Sequence, residues 1–401
     1  MCVKTLIKNN GRWLLVAALG IGVLGYFLLK IPFLLLAREQ SQLFLWNSDY
    51  LLERLAVPGG LAQYLSEMMV QLFLNPIYGA SCLAAFFVIV QLLTYQLMGA
   101  PKNRWLFLLS VVPAVVLAYL WTNIHVSMTL TMAIILALAL ACVLRTVRYQ
   151  VQLIVLMILL PVGYWLIGPA IVVVLIPLIN SWKRLLPVGA LTLWLLACLL
   201  ASARVVPYPL GQVVRGIDYY WDDDKLGSYE EMAYDMLVRQ QRWAAIIDMY
   251  QQQPTESLAI RDVVSVAMWK QQQIDQQEML SHLTLSNRTL SSISSAFLMS
   301  EVSMHIGMVN IAQRSAFEAM EAAPNYNKSA RALRRLVETN LVTGQSEVAL
   351  KYIAILEQTT FYRGWAQRMK QMVKQPKLLE QHLYYKSLKD FYEHEKDVFF
   401  Y

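Results

Sequence analysis

Apolar residues dominate the first half of the chain, and polar residues are frequent in the second. Between positions 13 and 206, long runs of Leu, Val, Ile, Ala, Phe and Trp are broken only by short polar stretches. A helix that crosses a bilayer needs roughly 20 apolar residues to cover about 30 Å of hydrocarbon. These runs predict a helical membrane domain over residues 1–207 with about seven helices. The apolar segments are 13–37, 78–98, 104–121, 127–144, 151–167, 168–180 and 187–206.

The basic residues between these segments predict the orientation of the membrane domain. Lys and Arg favour cytoplasmic loops, and here they cluster before residue 13 and at 102–104, 145–148 and 183–184. The turn at 122–125 has no Lys or Arg. This alternation predicts a cytoplasmic N-terminus, and an odd number of crossings then places the C-terminal domain outside the cytoplasm. We therefore predict a multi-pass protein of the inner membrane with a periplasmic C-terminal domain.

Residues 151–180 allow two paths through the membrane. This stretch is short for two full crossings, and prolines and glycines, among them Pro161, Gly168 and Pro177, interrupt it. Either two short, tilted helices cross here, or a re-entrant hairpin enters the membrane and returns to the same side. Both paths leave the predicted position of the C-terminal domain unchanged.

The predicted outer loop at 38–77 contains an amphipathic helix. Over residues 61–74, apolar residues recur at helical spacing, and Gln63, Glu67 and Gln71 form the opposite stripe. This pattern is typical of a helix that lies on a membrane surface. The alternative is that the helix packs on the other helices as a lid.

The same loop carries the candidate catalytic residues. Asp49 and Glu53 lie four positions apart in a predicted helix over 43–55, so their carboxylates share one helix face. Two acids at a membrane surface suit acid–base chemistry or a divalent ion. The alternative is a solvated polar face beside the interfacial aromatic residues Trp46 and Tyr50.

The C-terminal half, residues 208–401, shows helical periodicity and no strand-like alternation. Gly307 and Gly344 occupy two predicted turns 37 positions apart, and Pro254 and Pro324 lie 70 positions apart. A period of 34 to 37 residues with helix–turn–helix units is close to the tetratricopeptide pattern. It predicts an α-solenoid whose concave face binds a protein partner. The clearest helix pairs are predicted at 228–253, 296–322 and 328–358.

Local signals refine this picture of the C-terminal half. Ser228, followed by Glu231 three positions later, predicts a capping box at the start of the first helix. The run Asp222-Asp223-Asp224 before it predicts a solvated cap for the first repeat, and the alternative is a set of calcium ligands. A group of arginines on one helix predicts a solvated or acid-binding face. Its members are Arg331, Arg334 and Arg335.

Composition narrows the function classes. Hydrophobic residues make up 57% of the chain and charged residues 15%, and the net charge is +7. The positive charge follows the loop pattern, so we do not expect a nucleic-acid partner. All four cysteines lie before residue 208, which excludes a disulfide framework or Cys-based metal site in the C-terminal half. The membrane segments hold almost no ionisable residues, which disfavours an ion-coupled transporter. We predict no cofactor and no metal site.

Two resemblances extend these expectations. The layout resembles that of membrane glycosyltransferases that use polyprenyl-phosphate sugars, which implies a catalytic site at Asp49 with Glu53. Short stretches also resemble a Bacteroidetes family of multi-pass membrane proteins of unknown function, which implies membership but no particular reaction. The stretches are Pro58-Gly59-Gly60-Leu61, Tyr164-Trp165-Leu166, Arg334-Arg335-Leu336-Val337 and Phe361-Tyr362-Arg363-Gly364-Trp365-Ala366.

We therefore predict an all-α protein with a polytopic helical membrane domain, residues 1–207, followed by a tetratricopeptide-like α-solenoid, residues 208–401. The predicted function is that of an envelope scaffold that contacts membrane lipid and recruits a protein partner through the solenoid. One alternative is a polyprenyl-phosphate-sugar transferase that uses Asp49 and Glu53. A further alternative is a transporter of a lipid or apolar substrate.

Overall fold

A computed structural model describes residues 2–100, 104–179, 185–221, 224–284, 292–324 and 327–395. The structure is all-helical, with 78% of residues in helices and no strand within those ranges. The predicted all-α fold class is therefore confirmed. An isolated antiparallel bridge joins Val126 to Tyr220.

The chain divides into two compact units. The first unit contains Met1–Leu35 and Asn47–Asp222, and the second contains Leu36–Trp46 and Asp223–Tyr401. From sequence, the start of the outer loop belongs to the membrane domain and the boundary falls after residue 207. The structure instead groups that start of the loop with the C-terminal half and continues the first unit to Asp222.

The first half of the chain is built of long apolar helices joined by shorter ones. Two 3-10 helices, Gln71–Leu74 and Pro169–Leu178, interrupt the α-helices. The α-helices are α1 (Cys2–Leu29), α2 (Pro32–Gln40), α3 (Ser48–Leu55), α4 (Gly60–Val70), α5 (Pro76–Leu97), α6 (Arg104–Leu109), α7 (Val112–Leu120), α8 (Met128–Arg145), α9 (Tyr149–Ile167), α10 (Leu185–Ser202) and α11 (Leu210–Arg215).

Five helical stretches within the described ranges are long and apolar enough to cross a membrane. They are Gly11–Leu29, Pro76–Leu97, Met128–Arg145, Tyr149–Ile167 and Leu185–Ser202. Two shorter apolar stretches, Trp105–Leu120 and Pro169–Leu178, accompany them. Pro113 lies in the first of these, and its ring would clash with the carbonyl of Leu109 in a continuous helix. The chain accordingly breaks between α6 and α7. The total of about seven crossings stays a prediction.

Residues 149–179 form a hairpin around a glycine turn. The first arm, α9, has 19 residues, and the second arm is a 3-10 helix of ten residues that rises about 20 Å. Gly168 adopts φ +96° at the turn, and a Cβ on Gly163 would lie 2.6 Å from Ile171 Cδ1. Glycine is therefore required for the two arms to approach. The first arm, Tyr149–Ile167, is longer than the segment predicted at 151–167. Whether the second arm crosses the membrane stays a prediction.

The second unit is a succession of helices that pack on their neighbours in sequence. The helix pairs predicted at 228–253, 296–322 and 328–358 are present with closely similar bounds. Their stacking as a solenoid stays a prediction. The helices are α12 (Tyr229–Arg239), α13 (Trp243–Gln252), α14 (Leu258–Lys270), α15 (Gln276–His282), α16 (Ile293–Ile306), α17 (Val309–Glu321), α18 (Ala330–Val342), α19 (Ser346–Leu356), α20 (Arg363–Lys374), α21 (Pro376–Gln381) and α22 (Leu383–Glu395).

The predicted capping box is half present. The Ser228 side chain accepts a hydrogen bond from the Glu231 backbone N–H at 3.1 Å. The Glu231 carboxylate accepts hydrogen bonds from the hydroxyls of Ser257 and Ser292, each at 3.2 Å, and thereby links neighbouring helices. Several other residues named from the sequence lie outside the described ranges. They are Lys102, Lys183, Arg184, Asp222 and Asp223.

Candidate functional site

The predicted carboxylate pair lies on the exposed side of a short helix. Asn47 caps α3, because its side chain accepts a hydrogen bond from the Tyr50 backbone N–H at 2.6 Å. Asp49 and Glu53 are both exposed. The Glu53 side chain is 70% exposed and lies 3.8 Å from Arg54. The shared face is therefore real, and the role of Asp49 and Glu53 in catalysis stays a prediction.

The buried side of α3 holds a different carboxylate, Glu67 of α4. The Tyr50 hydroxyl and the Arg54 Nε donate hydrogen bonds to Glu67 Oε2 at 2.7 and 2.9 Å. Gln63 Nε2 donates to Glu67 Oε1 at 3.0 Å. The Glu67 side chain has no exposed surface. Burial raises the pKa of Glu67 to about 7, against the opposing effect of Arg54 and with a further increase from Asp218.

The polar stripe of α4 thus faces the protein interior. Gln63 and Glu67 are buried, whereas Tyr64 and Met68 on the apolar stripe are half-buried. The sequence pattern indicated the reverse, with the polar stripe toward solvent. The stripe is buried because side chains of α3 satisfy its hydrogen bonds, and α4 packs on α8 and α9. This packing favours the lid interpretation of the helix.

A second buried carboxylate, Asp218, lies against the first turn of α8. Thr129 Oγ1 and Trp221 Nε1 donate hydrogen bonds to it at 2.6 and 2.9 Å. Ser66 Oγ lies 2.8 Å from Thr129 Oγ1, which connects Asp218 to the helix that carries Glu67. The cluster joins three segments: the loop at 38–77, the start of α8 and the residues that follow α11. All three were predicted on one side of the membrane, and in the first unit they meet at one place.

Two of the sequence stretches that carry the family resemblance are in contact in the first unit. The Gly59 backbone N–H donates to the Trp165 carbonyl at 2.9 Å, and Trp165 Nε1 donates to the Leu55 carbonyl at 2.9 Å. In the second unit, the Arg334 guanidinium lies 5.1 Å from the centre of the Trp365 ring. These stretches therefore take part in packing contacts within each unit.

The arginines of α18 form a buried ion-pair network. Both Nη atoms of Arg331 donate to the Asp235 carboxylate at 2.7 Å, and Arg331 and Arg335 contact Glu301 at 2.9 and 2.8 Å. Burial alone would raise the pKa of Glu301, but Arg335 and Arg331 outweigh it and hold that pKa below its usual range. The sequence predicted either a solvated or an acid-binding face for these arginines. The acid-binding interpretation describes Arg331 and Arg335, and the acids that they bind belong to the same chain.

The segment Leu36–Trp46 is bound within the second unit. Gln40 Oε1 accepts from Arg331 Nη1 at 2.5 Å, and Glu39 Oε1 accepts from the Tyr362 hydroxyl at 3.1 Å. The Trp46 backbone N–H donates to the Gln358 carbonyl at 2.9 Å. Sequence reasoning did not identify these contacts. The available signal was a run of consecutive polar residues, all buried in the structure, directly after the apolar segment 13–37: Arg38, Glu39, Gln40, Ser41 and Gln42.

A pocket of about 490 Å³ lies in the second unit at the turns of three helix pairs. The lining includes Lys270 and His305, and it includes no Asp or Glu of the described residues. Lys270 Nζ lies 4.0 Å from the centre of the Trp269 ring, and the Trp243 ring meets His305 edge to face at 4.9 Å. Sequence analysis did not find this site because its residues lie far apart in sequence and follow no spacing pattern.

In the pocket, the ammonium group of Lys270 lies near the imidazole of His305, which is neutral near pH 7. Burial lowers the pKa of His305 to about 4; Glu301 opposes this effect, and Lys270 and Arg335 add to it. Burial also lowers the pKa of Lys270. Within the ranges that the structure describes, no group of three or more His, Cys, Asp or Glu is placed to hold a metal ion.

Comparison with known proteins gives one match. Residues 8–401 match the model of a family described as a family of unknown function, DUF6057. No curated protein and no solved structure matches the chain.

Proposed function

We propose that this chain, which belongs to the DUF6057 family, is an envelope scaffold that recruits a protein partner through its C-terminal helical unit. In this proposal the apolar helices cross the inner membrane, with the N-terminus in the cytoplasm and the helical unit in the periplasm. The pattern of basic residues supports this orientation. The period of 34 to 37 residues and the packing of consecutive helices support a tetratricopeptide-like solenoid with a concave face for the partner.

The observation that carries the proposal is the pocket at the helix turns of the second unit. It has a volume of about 490 Å³ and is lined by a mixture of aromatic, aliphatic and polar side chains. That size and lining are typical of binding sites, in which apolar walls supply affinity and a few polar groups fix orientation. Helical arrays also use surfaces of this kind to hold segments of other proteins.

The segment Leu36–Trp46 gives the proposal a second basis. The helical unit already binds this stretch, which lies outside its own helices, through side chains of Arg331 and Tyr362 and the carbonyl of Gln358. The same unit therefore has the chemistry to recognise a polar segment. A partner that binds at the pocket would use a different part of the unit.

The transferase alternative depends on Asp49 and Glu53. Both side chains are exposed to solvent on an eight-residue helix. The buried carboxylates Glu67 and Asp218 are held by structural hydrogen bonds. These observations rank the scaffold above the transferase, and no described feature favours the transporter.

Native mass spectrometry of the full chain, purified gently from its own membranes, tests the proposed function. We expect a protein partner at a fixed ratio, retained by the Asp49→Asn/Glu53→Gln variant and lost from Lys270→Glu. Lys351→Glu makes the same charge change at an exposed position of α19 and should retain the partner. A bound polyprenyl-phosphate lipid that depends on Asp49, without a protein partner, would overturn the scaffold in favour of the transferase.

A further inference from the structure

We infer that the pocket at Lys270 and His305 binds an acidic peptide segment, through a carboxylate placed beside an aromatic or other large apolar side chain. The inference rests on the proposed function and names the chemistry of the partner.

The charge of the pocket selects an anion. Lys270 contributes a positive charge, and the lining includes no Asp or Glu of the described residues that would neutralise it. The nearby Glu301 carboxylate is engaged by Arg331 and Arg335. A carboxylate that enters the pocket therefore meets an ammonium group with which it can form a charge-assisted hydrogen bond.

The cation is held in place by the ring beside it. Lys270 Nζ lies 4.0 Å from the centre of the Trp269 ring, an arrangement that favours the charged amine through the π-electrons of the indole. His305 stands at the same pocket, and burial keeps its pKa at about 4. The imidazole is therefore neutral near pH 7 and offers one donor and one acceptor. A bound anion would favour the protonated imidazole, so His305 reports on occupancy.

The walls select an apolar group next to the anion. Trp243, Trp269 and Phe391 contribute rings to the lining, and the volume of about 490 Å³ exceeds what a carboxylate alone would fill. Contact between aromatic rings is favourable beyond the burial of apolar area. A Phe, Tyr or Trp side chain adjacent to an Asp, a Glu or a terminal carboxylate would satisfy both parts of the site.

A peptide fits this site better than a lipid headgroup. The lining residues belong to helices of the second unit, and none of those helices is among the five that are long and apolar enough to cross a membrane. The cation is a single ammonium group, without the Arg fork that binds phosphate through two parallel hydrogen bonds. An anionic lipid is therefore an outcome that the experiment must separate from the peptide.

The experiment uses the full chain in detergent micelles with 13C-labelled histidine, and the His305 signal is assigned with His305→Gln. The probes are 3-phenylpropionate, neutral 3-phenylpropanol and cationic 3-phenylpropylamine. We expect 3-phenylpropionate to shift the His305 signal saturably, with a Kd on the order of 1 mM for a ligand of about ten heavy atoms, and to raise the pKa of His305. The neutral probe should bind about tenfold more weakly, and the amine should not bind.

Two variants test the assigned cation. Lys270→Met should weaken 3-phenylpropionate binding about tenfold and make it equal to that of 3-phenylpropanol, while Lys351→Met should leave it unchanged. Lys270 is exposed, so a matching unfolding temperature for Lys270→Met and wild type establishes that the fold is intact. Equal binding of the neutral and anionic probes to wild type, or no saturable shift, overturns the inference.

A lipid arm completes the design. Nanodiscs of phosphatidylglycerol that shift the His305 signal more than nanodiscs of phosphatidylcholine, together with no effect of 3-phenylpropionate, would overturn the peptide in favour of a lipid. The outcomes also separate the inference from the proposed function. If the probe binds and needs Lys270 but no protein co-purifies, the inference on the pocket holds and the scaffold proposal fails. If a protein co-purifies but the probe does not bind, the scaffold proposal holds and the inference on the pocket fails.

Discussion

At the residue scale, burial separates the acids of the first outer loop. Glu53 extends from α3 with 70% of its side chain exposed, while Glu67 has no exposed surface and accepts hydrogen bonds from Tyr50, Arg54 and Gln63. A carboxylate removed from water is costly to ionise, even beside an arginine. Glu67 is therefore one acid of this loop whose charge state is linked to folding; burial also raises the pKa of Glu39.

We expect Glu67→Gln to remove a pH dependence of stability that the wild type has. The fold raises the pKa of Glu67 from 4.5 to about 7. A raised pKa contributes stability that is fully present below the unfolded value and is lost as the pH rises through the folded value. The loss between about pH 4.5 and pH 7 amounts to about 3 kcal/mol. Denaturant unfolding of the full chain across this range measures it.

Glu53→Gln is the matched control, because it removes a carboxylate beside the same Arg54 but from an exposed position. Its stability should follow the wild-type pH dependence. The Glu67→Gln variant should lose no stability through this group, so its advantage over the wild type should grow as the pH rises. Parallel curves of stability against pH for Glu67→Gln and the wild type would show that Glu67 ionises at a similar pH in the folded and unfolded states.

At the element scale, helices were predictable wherever the sequence marks their ends locally. Ser228 marks the start of α12, and Gly307, with φ +87°, ends α16 at a turn that local sequence signals identified. The orientation of α4 and the burial of residues 38–42 were not predictable. The partners of residues 38–42 lie far away in sequence, as with Gln40 and Arg331, which are separated by 291 positions, and the partners of Glu67 lie on a separate helix, 13 and 17 positions away. Local periodicity carries no information on such distant partners.

The pocket was hidden for the same reason. Trp243, Lys270, His305 and Phe391 come from four helices, and no short motif connects them. Asp49 and Glu53 were easier to find because both lie within one helical turn of each other. Their shared face was predicted correctly, but spacing alone does not distinguish an exposed pair from a buried one.

We expect residues 36–46 to exchange their backbone hydrogens together with the second unit. Leu336→Ala removes a fully buried side chain from α18, which destabilises the surrounding core by about 2–5 kcal/mol. Hydrogen–deuterium exchange of the full chain, read by mass spectrometry, should then show faster exchange in α18 and in residues 36–46. Residues 48–70 should be unaffected.

Leu83→Ala is the reciprocal control, because Leu83 is a fully buried residue of α5 in the first unit. It should accelerate exchange in α5 and leave residues 36–46 unchanged. If residues 36–46 instead respond to Leu83→Ala and not to Leu336→Ala, this segment belongs to the first unit.

At the scale of the whole molecule, the composition change near residue 207 and the limit of the first unit do not coincide. Asp218 binds Thr129 at 2.6 Å, and the Tyr219 hydroxyl donates to the Ile167 carbonyl at 2.6 Å. Both residues follow the last apolar helix, yet their partners lie in the first unit. A boundary drawn from hydropathy therefore removes part of the core that the apolar helices need.

We expect a chain that ends after residue 221 to be markedly more stable than one that ends after residue 207. The shorter chain removes the acceptor Asp218 from Thr129 and leaves the Ile167 carbonyl without the donor that Tyr219 supplies, and a buried polar group left unpaired costs about 1–3 kcal/mol. Thermal unfolding in the same detergent should give a lower midpoint for residues 1–207, and size-exclusion chromatography should show aggregation.

The point variants Asp218→Asn and Tyr219→Phe, made in the 1–221 chain, should reproduce part of that loss, which assigns it to these two side chains rather than to chain length. Equal midpoints for the two truncated chains would mean that residues 208–221 are not needed by the first unit. The distinction matters for the proposed function. A partner lost from residues 1–207 could reflect a damaged first unit, whereas a partner lost from residues 1–221 is assigned to the second unit.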